Sequence, residues 1–401
     1  MFNSLKFKVI LFGFIFTFFS SFGQSYFLGL FNSSIREALS ITHGQFGSIY
    51  ASATLCSSLL LIWVGKKIDD VNIFKFAFFV TILLSFACFF FSKVSSIFLL
   101  FIAIFLMRFS GQGMMSHTAS TTISRYFTRT RGRALSISWF GLSSAEFIMP
   151  VLMVYLLTII DWQNLWLIFS ITVLIVLPIA SFLLIKNLNL DSRETNDDNI
   201  KNVEIKQWKR REVIKDYRFY IISLNMLAMP WIFTGFAVFQ SFVQTSKGWG
   251  PYVIAQSFMS YSVLSVLTLF LSGFLIDKFT SRKLLIYMNI PLLLSVIVLF
   301  FFDTPITAFV FLGLVGISNG FANILGSSTW AELYGVKYLG SIKALTTALM
   351  VFATAFGTAL FGFLIDIGFT VGDIATVSGT YIFFSLILLF LVRKKLNPII
   401  V

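Results

Sequence analysis

Two ionisable side chains stand where water is scarce. Arg108 falls inside the apolar run 96–123 and Glu146 inside the run 134–159, and they are the clear charges deep within such runs. Arg108 is 15 residues from Lys93 and 17 from Arg125, while Glu146 is 13 from Arg133 and 15 from Asp161. At about 1.5 Å of rise per helical residue, both reach the middle of a bilayer, at depths differing by roughly one turn. A charge there costs about 2.5–3.5 kcal/mol on insertion scales, so it needs a task or a partner. A guanidinium in that setting grips an anion or stabilises a carboxylate, and a carboxyl exchanges a proton as its surroundings dry. The alternative is a permanent Arg108–Glu146 ion pair that only orders two consecutive helices. Gln112 lies four residues after Arg108, and Asn323 four after Asn319, so each pair shares a helix face. His117 reads as a hydrogen-bonded packing residue. Nothing resembles a phosphate-binding glycine loop, a zinc site or a nucleophile triad. No catalytic residue, metal or cofactor is assigned, and the chain reads as a non-enzyme.

The elements that must hold these residues are membrane helices. Hydrophobic residues make up 57% of the chain and charged ones 12%, against roughly 25% in soluble domains. A helix needs about 20 apolar residues to cross a bilayer. On that length the chain has twelve spans: 9–31, 44–64, 75–92, 96–123, 134–159, 163–185, 218–245, 252–276, 284–302, 305–329, 341–366 and 373–392. With both termini in the cytoplasm, only Arg36, Lys93 and Lys247 of the 30 Lys and Arg residues fall outside, and Arg108 is within a span. This is the positive-inside pattern of an inner (plasma) membrane protein. The net charge of +13 therefore reports topology, and a nucleic-acid partner is discounted. The run after Lys6 and Lys8 lacks a small-residue cleavage site and reads as a retained first span. Cys56 and Cys88 are isolated thiols in apolar runs, read as packing residues.

The polar stretch 186–217 divides the spans six and six. It reads as a solvated tether between an N-terminal half, 1–185, and a C-terminal half, 218–401. The alternative over 203–215 is a short amphipathic helix on the inner leaflet with Trp208 at the interface. Pro150, Pro178, Pro230 and Pro291 lie in or at the edges of spans and favour kinks.

A pattern occurs twice. Gly65-Lys-Lys-Ile-Asp69 follows the second run and Gly273-Phe-Leu-Ile-Asp277 the eighth, 277 − 69 = 208 positions apart. Two copies of one unit at half the chain length predict an all-α membrane protein of two pseudo-symmetric six-helix bundles. Each glycine permits close helix approach, and each Asp can cap a neighbouring helix N-terminus. Adding 208 to 112 gives 320, beside Asn319, so the repeat sets polar faces in corresponding places.

These turns resemble the inner-loop motif of the major facilitator superfamily: Gly, three residues, Asp, a basic residue, then Gly and two basic residues. Asp277, Lys278, Arg282 and Lys283 fit it, with Thr280 where Gly is expected. The first copy has Asp70 for the basic residue and Asn72 for the Gly. Arg108-Phe-Ser-Gly-Gln-Gly113, Arg129-Thr-Arg-Gly-Arg-Ala134, Asp161-Trp-Gln-Asn-Leu-Trp166 and Trp330-Ala-Glu-Leu-Tyr-Gly335 are similar to a bacterial branch related to monocarboxylate and oxalate/formate carriers. Gly111 and Gly113 lie three and five residues after Arg108, where the superfamily pattern has four and six. The resemblance implies that spans 1, 4, 7 and 10 line a cavity. Gln24, Arg108, Gln112, Trp231, Asn319 and Asn323 would then be substrate-binding and Glu146 proton-coupling. Gly65, Asp69, Gly273, Asp277, Lys278 and Arg282 would form inner gates. The expectation is a monomeric secondary transporter carrying a small organic anion with protons by alternating access. Its rivals are an amphiphile exporter of the same fold, disfavoured because Gly141–Pro150 lacks a Gly-Pro, and a non-transporting receptor or scaffold.

Overall fold

The computed structural model describes residues 5–127, 130–186 and 206–399, apart from the side chains of Asp69, Arg131, Asp277 and Ser327. Every regular element among them is helical. The chain divides into two compact units, Met1–Asn199 and Ile200–Val401.

Among the described residues, twelve helices are long and apolar enough to cross a membrane. The first unit carries Leu5–Gly29, His43–Ile68, Ile73–Phe91, Ile97–Tyr126, Gly132–Leu156 and Trp162–Ile185. The second carries Tyr217–Val238, Val253–Ile276, Ser281–Phe301, Pro305–Tyr334, Leu339–Asp366 and Val371–Lys395. Phe, Leu and Ile side chains are exposed along them, as lipid as solvent requires. Within the first unit the first span packs on the fifth, the second on the fourth and the third on the sixth. The second unit repeats this, the seventh span on the eleventh, the eighth on the tenth and the ninth on the twelfth. The 208-residue repeat is thus a repeat of packing.

Local chemistry fixes several helix starts. Thr42 and Gln45 form a reciprocal capping box on the second span. Asn72, which stands where the superfamily motif has Gly, accepts the Phe74 and Lys75 N–H groups at 2.9 and 3.4 Å and so begins the third span. Pro150, Pro178 and Pro230 lie inside continuous helices. Pro291 opens a new helical segment after a break at Asn289.

The stretch before the seventh span is not a free tether where it is described. Only Arg210–Val213 is helical. Trp208 donates its backbone N–H to Tyr334 O at 3.0 Å, with ring centroids 5.4 Å apart, and Lys206 N–H reaches Ile399 O at 2.9 Å. Asp216 pairs with Arg218 at 2.8 Å and accepts the Tyr334 hydroxyl at 3.1 Å. Arg218 also donates to Asn397 O at 2.8 Å. Buried polar groups must find partners, and these bonds fasten 206–218 to the C-terminal end of the tenth span and to the last described residues of the chain. Trp208 is therefore a packing residue of this unit, and the leaflet-bound helix over 203–215 does not form in its described part.

Candidate functional site

The first span does not run straight. Its helix ends at Ser20, a 3-10 turn covers Ser21–Gly23, Gln24 is extended (φ −80°, ψ 151°), and a short helix resumes at Ser25–Gly29. Opposite the break, the fourth span widens into a π-helix over Arg108–Met115. Such bulges are rare in helices and concentrate at functional sites. The two irregularities touch: a Cβ on Gly23 would meet Gln112 N, Met107 O and, at 2.9 Å, Gly111 Cα. Only glycine fits, and this contact brings Gln24, Arg108 and Gln112 into one place. An aromatic cluster secures the other side. Phe22 stacks on Phe169 at 4.9 Å, and Phe27 and Phe91 lie 5.7 and 4.5 Å from the buried Trp166.

Arg108 is 3% exposed. In an unbroken helix Gly23 O would accept from Phe27 N–H, but that N–H turns to Gln24 O at 3.2 Å. Arg108 Nη1 takes the freed carbonyl at 3.0 Å and also donates to Ser25 Oγ at 3.2 Å. The guanidinium lies 5.3 Å from the Tyr50 ring centroid, and the Tyr50 hydroxyl bonds to Ser25 Oγ at 2.9 Å. Arg108 Nε is buried without an acceptor. Glu146 is 8% exposed. No ion pair joins Arg108 and Glu146 among the described residues, which excludes the permanent pair. Arg108 bonds the broken segment at Gly23 and Ser25, and the fifth span, which carries Glu146, packs against the same segment. Gln24 and Gln112 are half-buried and make no side-chain hydrogen bond to described residues.

The inner turns differ from their expected form. In the first unit, His117 Nε2 donates to Gly65 O at 3.0 Å and Arg125 to Ile68 O at 3.0 Å, so the fourth span holds the Gly65–Asp69 turn. His117 is the bonded packing residue expected. In the second unit Glu332 accepts Ser281 and Arg282 N–H at 2.9 and 3.2 Å and caps the ninth span. Arg282 donates to Asn397 Oδ1 at 2.8 Å, and Lys278 lies over the Phe279 ring. A Cβ on Gly273 would meet nothing within 4 Å, so that glycine mediates no close approach. The side chains of Asp69 and Asp277 lie outside the described residues. Thr280, in place of the motif's Gly, has φ 69° and ψ 148°.

The second unit holds a cavity of about 200 Å³ between its seventh, ninth, tenth and eleventh spans. Asn319 and Asn323 both line it, and Asn319 also donates to Ser265 Oγ at 2.9 Å. Trp231 is not in its wall. That indole is 4% exposed, 5.2 Å from the Tyr381 ring and 6.0 Å from Phe356, and its backbone abuts Gly357. Its site is aromatic packing between the seventh, eleventh and twelfth spans.

Among solved structures, the chain is similar to a bacterial homolog of the human lysosomal transporter Spinster in an inward-facing, unoccupied conformation, with TM-score 0.75, 14% identity and 98% of each chain covered. It is also similar to the nucleoside transporter NupG, with TM-score 0.69, 14% identity, 98% of this chain and 99% of that one. No curated protein matches it. The family profile described as Major Facilitator Superfamily matches residues 13–358, so, with twelve apolar spans paired alike in two units, the chain belongs to the major facilitator superfamily.

Proposed function

We propose that this protein is a secondary transporter that couples movement of a small organic anion to protons, with Arg108 engaging the anion and Glu146 carrying the proton. The observation that supports this most is the broken first span, with a buried cation bonded to Gly23 and Ser25 and the buried Glu146 on the fifth span packed against it. Among the described residues Arg108 has no carboxylate partner, and a buried cation without a counter-charge is costly. A substrate carboxylate competes well for it, since it brings an opposite charge and two parallel acceptors that match the planar guanidinium, where a carbonyl and a hydroxyl bring neither. When the anion arrives, Arg108 exchanges Gly23 O for it, the break loses its clasp, and a proton on Glu146 balances the charge. Gln24 and Gln112, whose carboxamides make no hydrogen bond to described residues, complete the anion's surroundings. A monocarboxylate is the favoured cargo, from the motifs that resemble that branch together with the single guanidinium. The second unit's inner latch includes Arg282 and, through its bonds to the same turn, Glu332.

The test is uptake of labelled small carboxylates into proteoliposomes under an imposed pH gradient. Glu146→Gln is expected to abolish the dependence on the gradient, and Arg108→Lys, which loses the planar fork, to raise KM. Gradient-driven uptake that survives Glu146→Gln unchanged, or full affinity in Arg108→Lys, refutes the assignment.

A further inference from the structure

Gly248-Trp249-Gly250, between the seventh and eighth spans, serves neither the Arg108 site nor the inner turns. We infer that Trp249 is a latched lid on an access path through the second unit, leading from the end opposite the 206–218 segment, past Phe233, to the cavity. The indole is 6% exposed and closes a smaller hollow between the seventh, eighth and tenth spans, lined by the rings of Phe233, Phe236, Phe258 and Phe311. About 20 Å³ stays empty beneath it, room for one water. Interiors built for permanent packing leave few voids of that size.

What holds the indole is concentrated at one place. Its Nε1–H donates to Asp303 O at 2.6 Å, while Lys247 Nζ donates to Phe302 O at 3.2 Å and pairs with the Asp303 carboxylate. All these contacts fall on two consecutive residues of the turn between the ninth and tenth spans, so a shift of that turn releases the lid in one step. The flanking glycines supply the hinge. Gly248 has φ 64°, which favours glycine. Gly250 has no positive φ, and a Cβ on it would meet nothing within 4 Å. Neither strain nor crowding asks for glycine there, which leaves backbone freedom as its use.

Phe233 stands at the far side of the hollow. It lines both that space and the cavity of about 200 Å³, and its ring stacks on Tyr261 at 4.9 Å. Displacement of one ring therefore joins the two. Among the described residues no ionisable side chain lines either space, so the path suits small uncharged molecules; a charge would be desolvated along it without compensation.

The inference does not rest on the anion reading: Arg108 and Glu146 belong to the first unit, and the lid is read by thiol labelling where they are read by uptake, so either can fail alone. The reporter is Ala308→Cys, behind the lid at a position 1% exposed. The full-length variant in lipid nanodiscs reacts with methyl methanethiosulfonate, a small uncharged thiol reagent, and modification at position 308 is timed by mass spectrometry. Cys88, buried in the first unit, is the control for global opening. Lys247→Met keeps the stem but drops the latch, and is expected to speed modification about three- to tenfold, the worth of a hydrogen-bonded pair near the surface. Asp303→Asn, at an exposed position, breaks the same pair without a change of shape and is expected to act in the same direction. Gly250→Ala is expected to slow modification about two- to fivefold by restricting the hinge. Phe233→Ala, which opens the hollow to the cavity, is expected to speed it with the latch intact, by a factor that multiplies with that of Lys247→Met. The cationic trimethylammonium analogue of the reagent, corrected for its rate with a free thiol, is expected to react about tenfold more slowly. A rate at position 308 unmoved by both latch variants, a parallel rise at Cys88, no slowing in Gly250→Ala, no gain in Phe233→Ala, or equal access for the cation each overturns the inference.

Discussion

Replacing Thr280 by glycine is expected to stabilise the protein. The residue has φ 69° and ψ 148°, a region that essentially only glycine occupies without strain, and a β-branched side chain there stores about 1–3 kcal/mol. Its Oγ1 is also buried without a partner, which costs a further ~1–3 kcal/mol. Against this, glycine loses more backbone entropy on folding, about 0.5–1 kcal/mol, and one buried methyl contributes ~0.8 kcal/mol. The Thr280 N–H bond to Ile276 O, at 2.9 Å, survives the change. The net gain is about 2 kcal/mol, which for a unit of this size raises Tm by roughly 4–8 °C. The assay is thermal unfolding in detergent followed by the buried Trp330 of the same unit. Thr280→Ala separates the two causes, since it removes the hydroxyl but keeps the Cβ in the strained region. An unchanged or lowered Tm for Thr280→Gly, or an equal rise for Thr280→Ala, refutes the strain argument.

Gly23→Ala drives a Cβ into Gln112 N and Met107 O. It is expected to lower Tm by the equivalent of about 1–3 kcal/mol and to abolish uptake, whereas Gly132→Ala, with nothing within 4 Å, is silent in both measurements. Glu332→Ala leaves the Ser281 and Arg282 N–H groups without their cap. Hydrogen exchange across Ser281–Met288 should then accelerate by an amount matching about 0.5–2 kcal/mol. The Glu212 carboxyl is held below its ordinary value of 4.5, first by the Lys209 backbone N–H and then by the Lys206 side chain. A depressed carboxyl stabilises above its unfolded value and loses that contribution as pH falls through the folded one. Amide exchange over 206–216, corrected for intrinsic rate, should therefore be flat from about pH 7 to pH 5 and rise only at lower pH.

The spans were legible because a bilayer imposes length and polarity on every helix that crosses it. Arg108 and Glu146 stood out for the same reason, and both are buried in the first unit. The broken first span was not legible. Ser21-Phe-Gly-Gln24 contains no proline, and Gly23 becomes informative only beside Gly111, far along the chain. The π segment escaped because its residues also satisfy α-helical spacing. Trp208 looked interfacial because its partner Tyr334 belongs to another helix. At Thr280 the mismatch with the superfamily motif was visible in the sequence, but its backbone angle was not. Glu332 stands within the Trp330–Gly335 motif, and its capping role needed the ninth span's first turn in place. Trp231 was placed in the cavity by its span number alone, and packing with Phe356, Phe361 and Tyr381 claims it instead.

The π-helix of the fourth span alters how that span must be scanned experimentally. Bonds from i to i+5 use more residues per turn than α-helical ones. A helical wheel drawn at constant pitch therefore slips phase at Arg108–Met115, and everything after it in the span is assigned to a rotated face. Cysteine-accessibility profiles should show a periodicity defect at this segment, with Thr118 and Thr122 protected where a uniform wheel fitted from Ile97 misplaces them.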